Sequence, residues 1–149
     1  MEFDDLVKSG QLKREHTSEQ KIAEFLQFAE DEVSAAKFNL SKFPLTAYKS
    51  AYDALMHAGN ALIRYYGYRT TTKYTHLTVT EFVGRILGKD YGNLVRVFKR
   101  MRHKRHPMLY EAKFSESTYD IKRSIVNAEE LIRKIESCIK IKPLQRRLF

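Results

Sequence analysis

Apolar residues recur along most of this chain at three- and four-residue spacings, the repeat of a helix that buries one face. The plainest case is Ile22, Phe25, Leu26, Ala29, Val33, Ala36 and Leu40, preceded by Thr17 and Ser18, either of which can cap a helix start through its hydroxyl. A shorter helix over about Phe3 to Ser9 is predicted ahead of it, stopped at Gly10, which tolerates positive φ. A second long helix is predicted from Pro44 to about Tyr66, with Gly67 as its terminator. Its inner face is small: Ala47, Ala51, Ala54, Ala58 and Ala61, with Gly59 nearby, allow a neighbouring helix to approach closely, while Leu55, Leu62 and Ile63 supply bulk.

From Tyr68 to Thr75 the chain is rich in Thr and Tyr, which predicts an extended loop. A short helix over about Thr78 to Leu87 follows. A fourth helix is predicted from Asp90 through Leu94, Val95, Phe98 and Met101, ending or kinking near His106 because Pro107 lacks a backbone donor. The last long helix starts at Ser115 or Ser117 and aligns Ile121, Ile125, Ala128, Ile132, Ile135 and Ile139 on one side. After Pro143, the tail Gln145 to Phe149 is expected to be mobile. The pattern predicts an all-α fold, an antiparallel up-and-down bundle of four to five main helices, as a single domain over 1–149 with its core at about 18–140. There is no internal repeat and no competing strand pattern.

Composition agrees with this and narrows the function. In 149 residues, 43% are hydrophobic and 30% charged, a globular balance. No apolar run approaches the roughly 20 residues of a membrane span. The acidic start Met1-Glu2-Phe3-Asp4-Asp5 is unlike a signal peptide, so a cytoplasmic location without membrane association is expected. The lone Cys138, flanked by Ile135 and Ile139, excludes an intrachain disulfide and a cysteine-based zinc site, and reads as a buried packing thiol. No Gly-rich phosphate loop, paired catalytic carboxylates or His-x-x-x-His motif is present, so neither cofactor nor metal is expected.

Charge changes the picture more. The net charge of +9, from 27 Lys and Arg against 18 Asp and Glu, favours an anionic partner. Between Arg96 and His106 the chain reads RVFKRMRHKRH, with eight of eleven residues basic or imidazole-bearing. On a helix Arg96, Lys99, Arg100 and His103 lie to one side, with Arg102 and His106 on an adjoining strip. Like charges at these separations repel by a few tenths of a kcal/mol per pair, so the run calls for an anionic partner or a carboxylate-rich neighbour, unless it is simply a solvated face. Asp53, His57 and Asn60 form a polar strip on the alanine-rich helix and can satisfy one another or nearby backbone. His16 and His76 have no second ligand at metal spacing and read as surface or capping residues. Tyr65, Tyr66, Tyr68 and Tyr74 are expected to be semi-exposed, closing the bundle end, forming a dimer contact or stacking on bases.

Two stretches resemble the HEPN superfamily of small α-helical bundles, which includes RNA-cleaving toxins and partners of minimal nucleotidyltransferases. One is A51-Y-D-A-L-M-H-A-G-N-A-L62 followed by R64-Y-Y-G67, similar to the family's second helix; the other is R100-M-R-H-K-R-H-P-M-L-Y110, similar to its Arg-rich segment. With the helix order, the resemblance covers roughly residues 18 to 140. Active members carry an Arg, then a polar residue, then a His after four to six intervening residues. One register places Arg105 at the motif Arg, His106 at the polar position and Tyr110 at the motif His; another pairs Arg100 with His106. The first is preferred. The resemblance also implies that Asp53 or His57 faces the Arg segment and holds its guanidinium groups.

The resemblance implies a homodimer that binds RNA in a composite cleft, with Arg102, Arg105, His106 and Tyr110 as catalytic candidates and Arg96, Lys99, Arg100 and His103 as further RNA contacts. Metal-free RNA cleavage needs a base at the ribose 2′-hydroxyl and positive charge on the phosphate as the transition state forms. Arginine supplies the charge in a bidentate fork, and histidine, with an unperturbed pKa of about 6.5, supplies the base. Tyrosine, at about 10, is a poor base but can orient a phosphate. Two readings stay open: an endoribonuclease of toxin-antitoxin type, or a non-catalytic module that docks a nucleotidyltransferase-like partner.

Overall fold

A computed structural model describes residues 2–142. It is 73% helical, with six helices and one two-stranded ribbon among the described residues, an all-α bundle. The tail from Pro143 onward lies outside the described residues. Helix α1 (Asp4–Lys8) leads to strand β1 (Leu12–Arg14), then α2 (Glu19–Asn39), α3 (Pro44–Tyr65), strand β2 (Tyr68–Thr70) and α4 (Thr75–Leu87). A 3₁₀ turn at Lys89–Tyr91 precedes α5 (Gly92–Tyr110), and α6 (Thr118–Ser137) completes the bundle.

The helix starts follow local chemistry. Ser18 accepts a hydrogen bond from the Lys21 backbone amide at 3.2 Å, and Ser117 accepts one from Asp120 at 3.1 Å, each satisfying a donor that the first helical turn leaves free. Pro44 opens α3, where its missing N–H is no loss. Gly67, with φ of 88°, turns the chain out of α3.

Two elements are more definite than the expectation. Tyr68–Thr70 is a strand, antiparallel to Leu12–Arg14 with Leu12 opposite Thr70, so the extended segment is held by a ribbon to the N-terminal arm. Helix α5 does not end at His106 but runs through Pro107 to Tyr110. Pro107 gives up the amide bond its position would make to His103, four residues back, and the helix nonetheless continues for a further turn. The Pro107 carbonyl then accepts from Glu111 at 2.9 Å and from Lys113 at 3.2 Å, which closes the helix end.

Helix α3 is the axis of the bundle and packs against α2, α4, α5 and α6. Its five alanines, with Leu55, Leu62 and Ile63, are fully buried, as are Phe82 and Val83 of α4, Phe98 of α5 and Ile132 and Ile135 of α6. Each such large side chain contributes roughly 1.5–3 kcal/mol by leaving water. Cys138 is half-buried at the end of α6 rather than enclosed, because the helix stops there and the next packing group is Ile139. Tyr68 is buried, not semi-exposed: its ring packs edge-on against Phe3 and Phe82 beneath α1. Tyr66 and Tyr74 are exposed. Among the described residues no helix is long and apolar enough to cross a membrane.

Candidate functional site

Helix α5 presents the basic run. Val95, Phe98, Met101 and Met108 point inward, so the charged positions are distributed around the remaining circumference at about 100° per residue. They separate into groups with different partners. Arg100 and Lys104 reach the same Glu116 carboxylate at 2.7 and 2.9 Å, and that side chain is only 5% exposed. The α5–α6 connection therefore gives these two cations one shared carboxylate within the fold. Arg96 donates to the Asn93 side-chain oxygen. With Lys99, Arg85 and Lys89 it lines a groove of about 420 Å³ between α4 and α5, where Glu81 is the acidic member. Arg85 is held at 2.6 Å by Asp5 of α1.

Arg102 and Arg105 behave differently. The Arg105 guanidinium stands 5.7 Å from the centre of the Tyr52 ring on α3, a cation-π contact. Arg102 turns one Nη toward His103 Nε2 at 3.3 Å, while its Nε is buried and donates to no described group. Neither arginine forms an ion pair among the described residues, whereas Arg14, Arg64, Arg69, Arg85, Arg100 and Arg133 each reach a carboxylate. A buried donor left without an acceptor costs roughly 1–3 kcal/mol.

His76, read from the sequence as a surface or capping residue, belongs to this place instead. It sits half-buried in the first turn of α4, and its Nδ1 shares a 2.7 Å hydrogen bond with the Tyr52 hydroxyl, the two ring planes within 8° of parallel. Burial holds its imidazole below the usual histidine range, and the charges of Arg105 and Arg102 push the same way. Burial drives the Tyr52 phenol far above its ordinary value, against the pull of the same two arginines. No sequence signal joins Tyr52 to His76; the contact forms where α4 packs against α3.

The four catalytic candidates thus fall into two places. Arg102 and Arg105 turn toward α3 and α4, while His106 and Tyr110 are exposed, their ring centres 4.8 Å apart on the last turns of α5. His103 is exposed as well. The polar strip of α3 is also divided. Burial, then the charge of Glu32, raises the Asp53 carboxyl, with Arg105 the first opposing charge, so Asp53 joins the inward group electrostatically. His57 pairs with Glu32 of α2, which raises its pKa, and its ring meets Phe28 edge-on. Asn60 donates to the Met56 carbonyl at 3.0 Å within its own helix. Among the described residues no group of His, Cys, Asp and Glu is arranged to hold a metal ion. Comparison with protein-family models, curated proteins and solved structures gives no match to this chain.

Proposed function

We propose that this chain is a HEPN-like RNA-binding protein in which Arg102 and Arg105 hold RNA phosphates in the cleft of a homodimer, with His106 and Tyr110 beside them. The observation that carries this reading is the contrast between arginines. Arg100 is neutralised by Glu116, but Arg102 and Arg105 are kept half-buried with no carboxylate and with one orphan Nε. A phosphate supplies the acceptor oxygens and the negative charge that this arrangement lacks, and guanidinium is suited to take it in two parallel bonds. Arg96 and Lys99 extend the cationic line along α5 over about 14 Å, which favours a polymeric anion over a small one. Leu109, Tyr110 and Tyr119, all exposed on either side of the α5–α6 connection, offer apolar area for a second copy next to the arginines.

RNA cleavage is the further part of the proposal. Arg102 and Arg105 stabilise charge on the phosphate, and His106 takes the proton from the 2′-hydroxyl, without a metal. The direct test is single-stranded RNA binding at several salt concentrations. Wild-type affinity is expected to fall steeply with salt, and Arg102→Ala with Arg105→Ala to weaken binding and flatten the salt slope by about 2. Binding that ignores salt, or no binding, removes this reading in favour of a module that docks a nucleotidyltransferase-like partner.

A further inference from the structure

We propose that Tyr52, His76, Arg102 and Arg105 form an inner phosphate site, in which His76 is a third phosphate ligand oriented by Tyr52, on the inward side of the arginines that His106 and Tyr110 flank. This deepens the RNA-binding reading and rests on its assignment of the two arginines to phosphate.

The argument begins with the phenol. Tyr52 is fully buried, and Nδ1 of His76 is the partner its hydroxyl meets among the described residues. A buried O–H that did not donate would forfeit a hydrogen bond, so Tyr52 donates to Nδ1. The neutral imidazole then carries its proton on Nε2, at the far side of the ring. If the ring gains a second proton, Nδ1–H donates to the phenol oxygen and Nε2–H is still a donor. His76 therefore offers an N–H in both charge states. Such a group suits a ligand for oxygen anions and is unsuited to act as the base.

Its surroundings complete the set. Arg105 stands over Tyr52, Arg102 keeps a buried Nε with no acceptor, and both act electrostatically on His76. His76 of α4 and Arg105 of α5 thus both contact Tyr52 of α3, with Arg102 near enough to act on it electrostatically and Asp53 as the carboxylate that does so. A phosphate placed among them satisfies the Arg102 Nε and offsets the repulsion between the arginines and a protonated His76.

The test is NMR of protein with ¹⁵N-labelled histidine, titrated with inorganic phosphate. The free protein should show His76 as the Nε2–H tautomer. Phosphate should shift its ring signals and move its titration to higher pH, since the added anion cancels the arginine charges. Arg102→Lys with Arg105→Lys should weaken that response about tenfold, and Tyr52→Phe should give a mixture of tautomers. A dinucleoside monophosphate and a nucleoside 5′-monophosphate, compared in the same assay, tell a diester from a monoester ligand. The proposal is overturned by an Nδ1–H tautomer in the wild type, by His76 signals indifferent to phosphate, or by a response that survives loss of both arginines. RNA binding with a silent His76 leaves the RNA-binding reading standing alone, whereas a phosphate response without RNA binding keeps this site and removes the RNA.

Discussion

Gly59 of α3 lies against Val79 of α4 so closely that a β-carbon at Gly59 would stand under 3.0 Å from Val79 Cγ1 and 3.4 Å from Val83 Cγ2. Alanine is the better helix former by about 1 kcal/mol, so propensity alone favours the substitution. Packing opposes it more strongly, because Val79 is fully buried and has no free space to yield. Gly59→Ala is expected to destabilise the fold by about 1–3 kcal/mol in urea unfolding. Val79→Ala alone also costs stability, but the double variant should be more stable than the sum of the two predicts. Strict additivity would mean that the two residues do not meet.

Glu116 offers a second test, because its single carboxylate pairs with two cations from outside their helix. Glu116→Gln keeps the shape and removes the charge. Arg100 is largely exposed, so the loss of stability should stay near about 1 kcal/mol. RNA affinity at low salt should rise, and its salt dependence steepen, because Arg100 and Lys104 become available. Unchanged affinity would place the RNA away from this side of α5.

The pH dependence of stability follows from two histidines shifted in opposite directions from the ordinary 6.5. His57 is raised, first by its bond to Glu32, so the native state binds its proton more tightly than the unfolded chain. Its contribution is complete below about 6.5 and is lost as pH rises through the raised value. His76 is lowered, first by burial, so the unfolded chain holds that proton more tightly. Its contribution is present above about 6.5 and is lost as pH falls through the lowered value. Together they place a maximum near pH 6.5 in this part of the profile. His57→Gln should remove the decline on the alkaline side and His76→Gln the decline on the acid side, measured by urea unfolding across pH. If each variant kept the wild-type profile, neither shift would contribute.

The bundle was legible because its signals are local. The stripe from Ile22 to Leu40, the caps at Ser18 and Ser117 and the stop at Gly67 each depend on residues a few positions apart. Strand β1 was not legible, since three residues carry too short a pattern and its partner is Thr70, far along the chain. Helix α5 passes through Pro107, where local preference alone predicted an end or a kink, and closes one turn later on the Pro107 carbonyl. At the site, the density of charge on α5 was evident, but its division was not. Arg100 grouped with Arg96 on a helical projection, and only the connection after Lys113 brings Glu116 back to claim it. His76 had no motif around it; Tyr52 reaches it through the packing of α3 on α4.

The two registers of the basic motif make different predictions for His106 and Tyr110. Both are exposed at the end of α5 with ring centres 4.8 Å apart, so either can reach a bound phosphodiester that the other also touches. If His106 is the base, with Arg100 as motif arginine, His106→Ala should lose cleavage in EDTA by about a hundredfold or more while keeping most RNA affinity. Tyr110→Phe should then be mild. If Tyr110 holds the motif position after Arg105, Tyr110→Phe is severe because the hydroxyl that orients the phosphate is gone. The Glu116 pairing favours the Arg105 register, since Arg100 is already neutralised within the fold. Product analysis adds an independent check, because attack by the 2′-hydroxyl leaves a cyclic phosphate. RNA that stays intact with purified protein in EDTA removes the nuclease, and a salt-dependent affinity that persists beside it leaves a binding protein whose arginines hold phosphate without cleaving it.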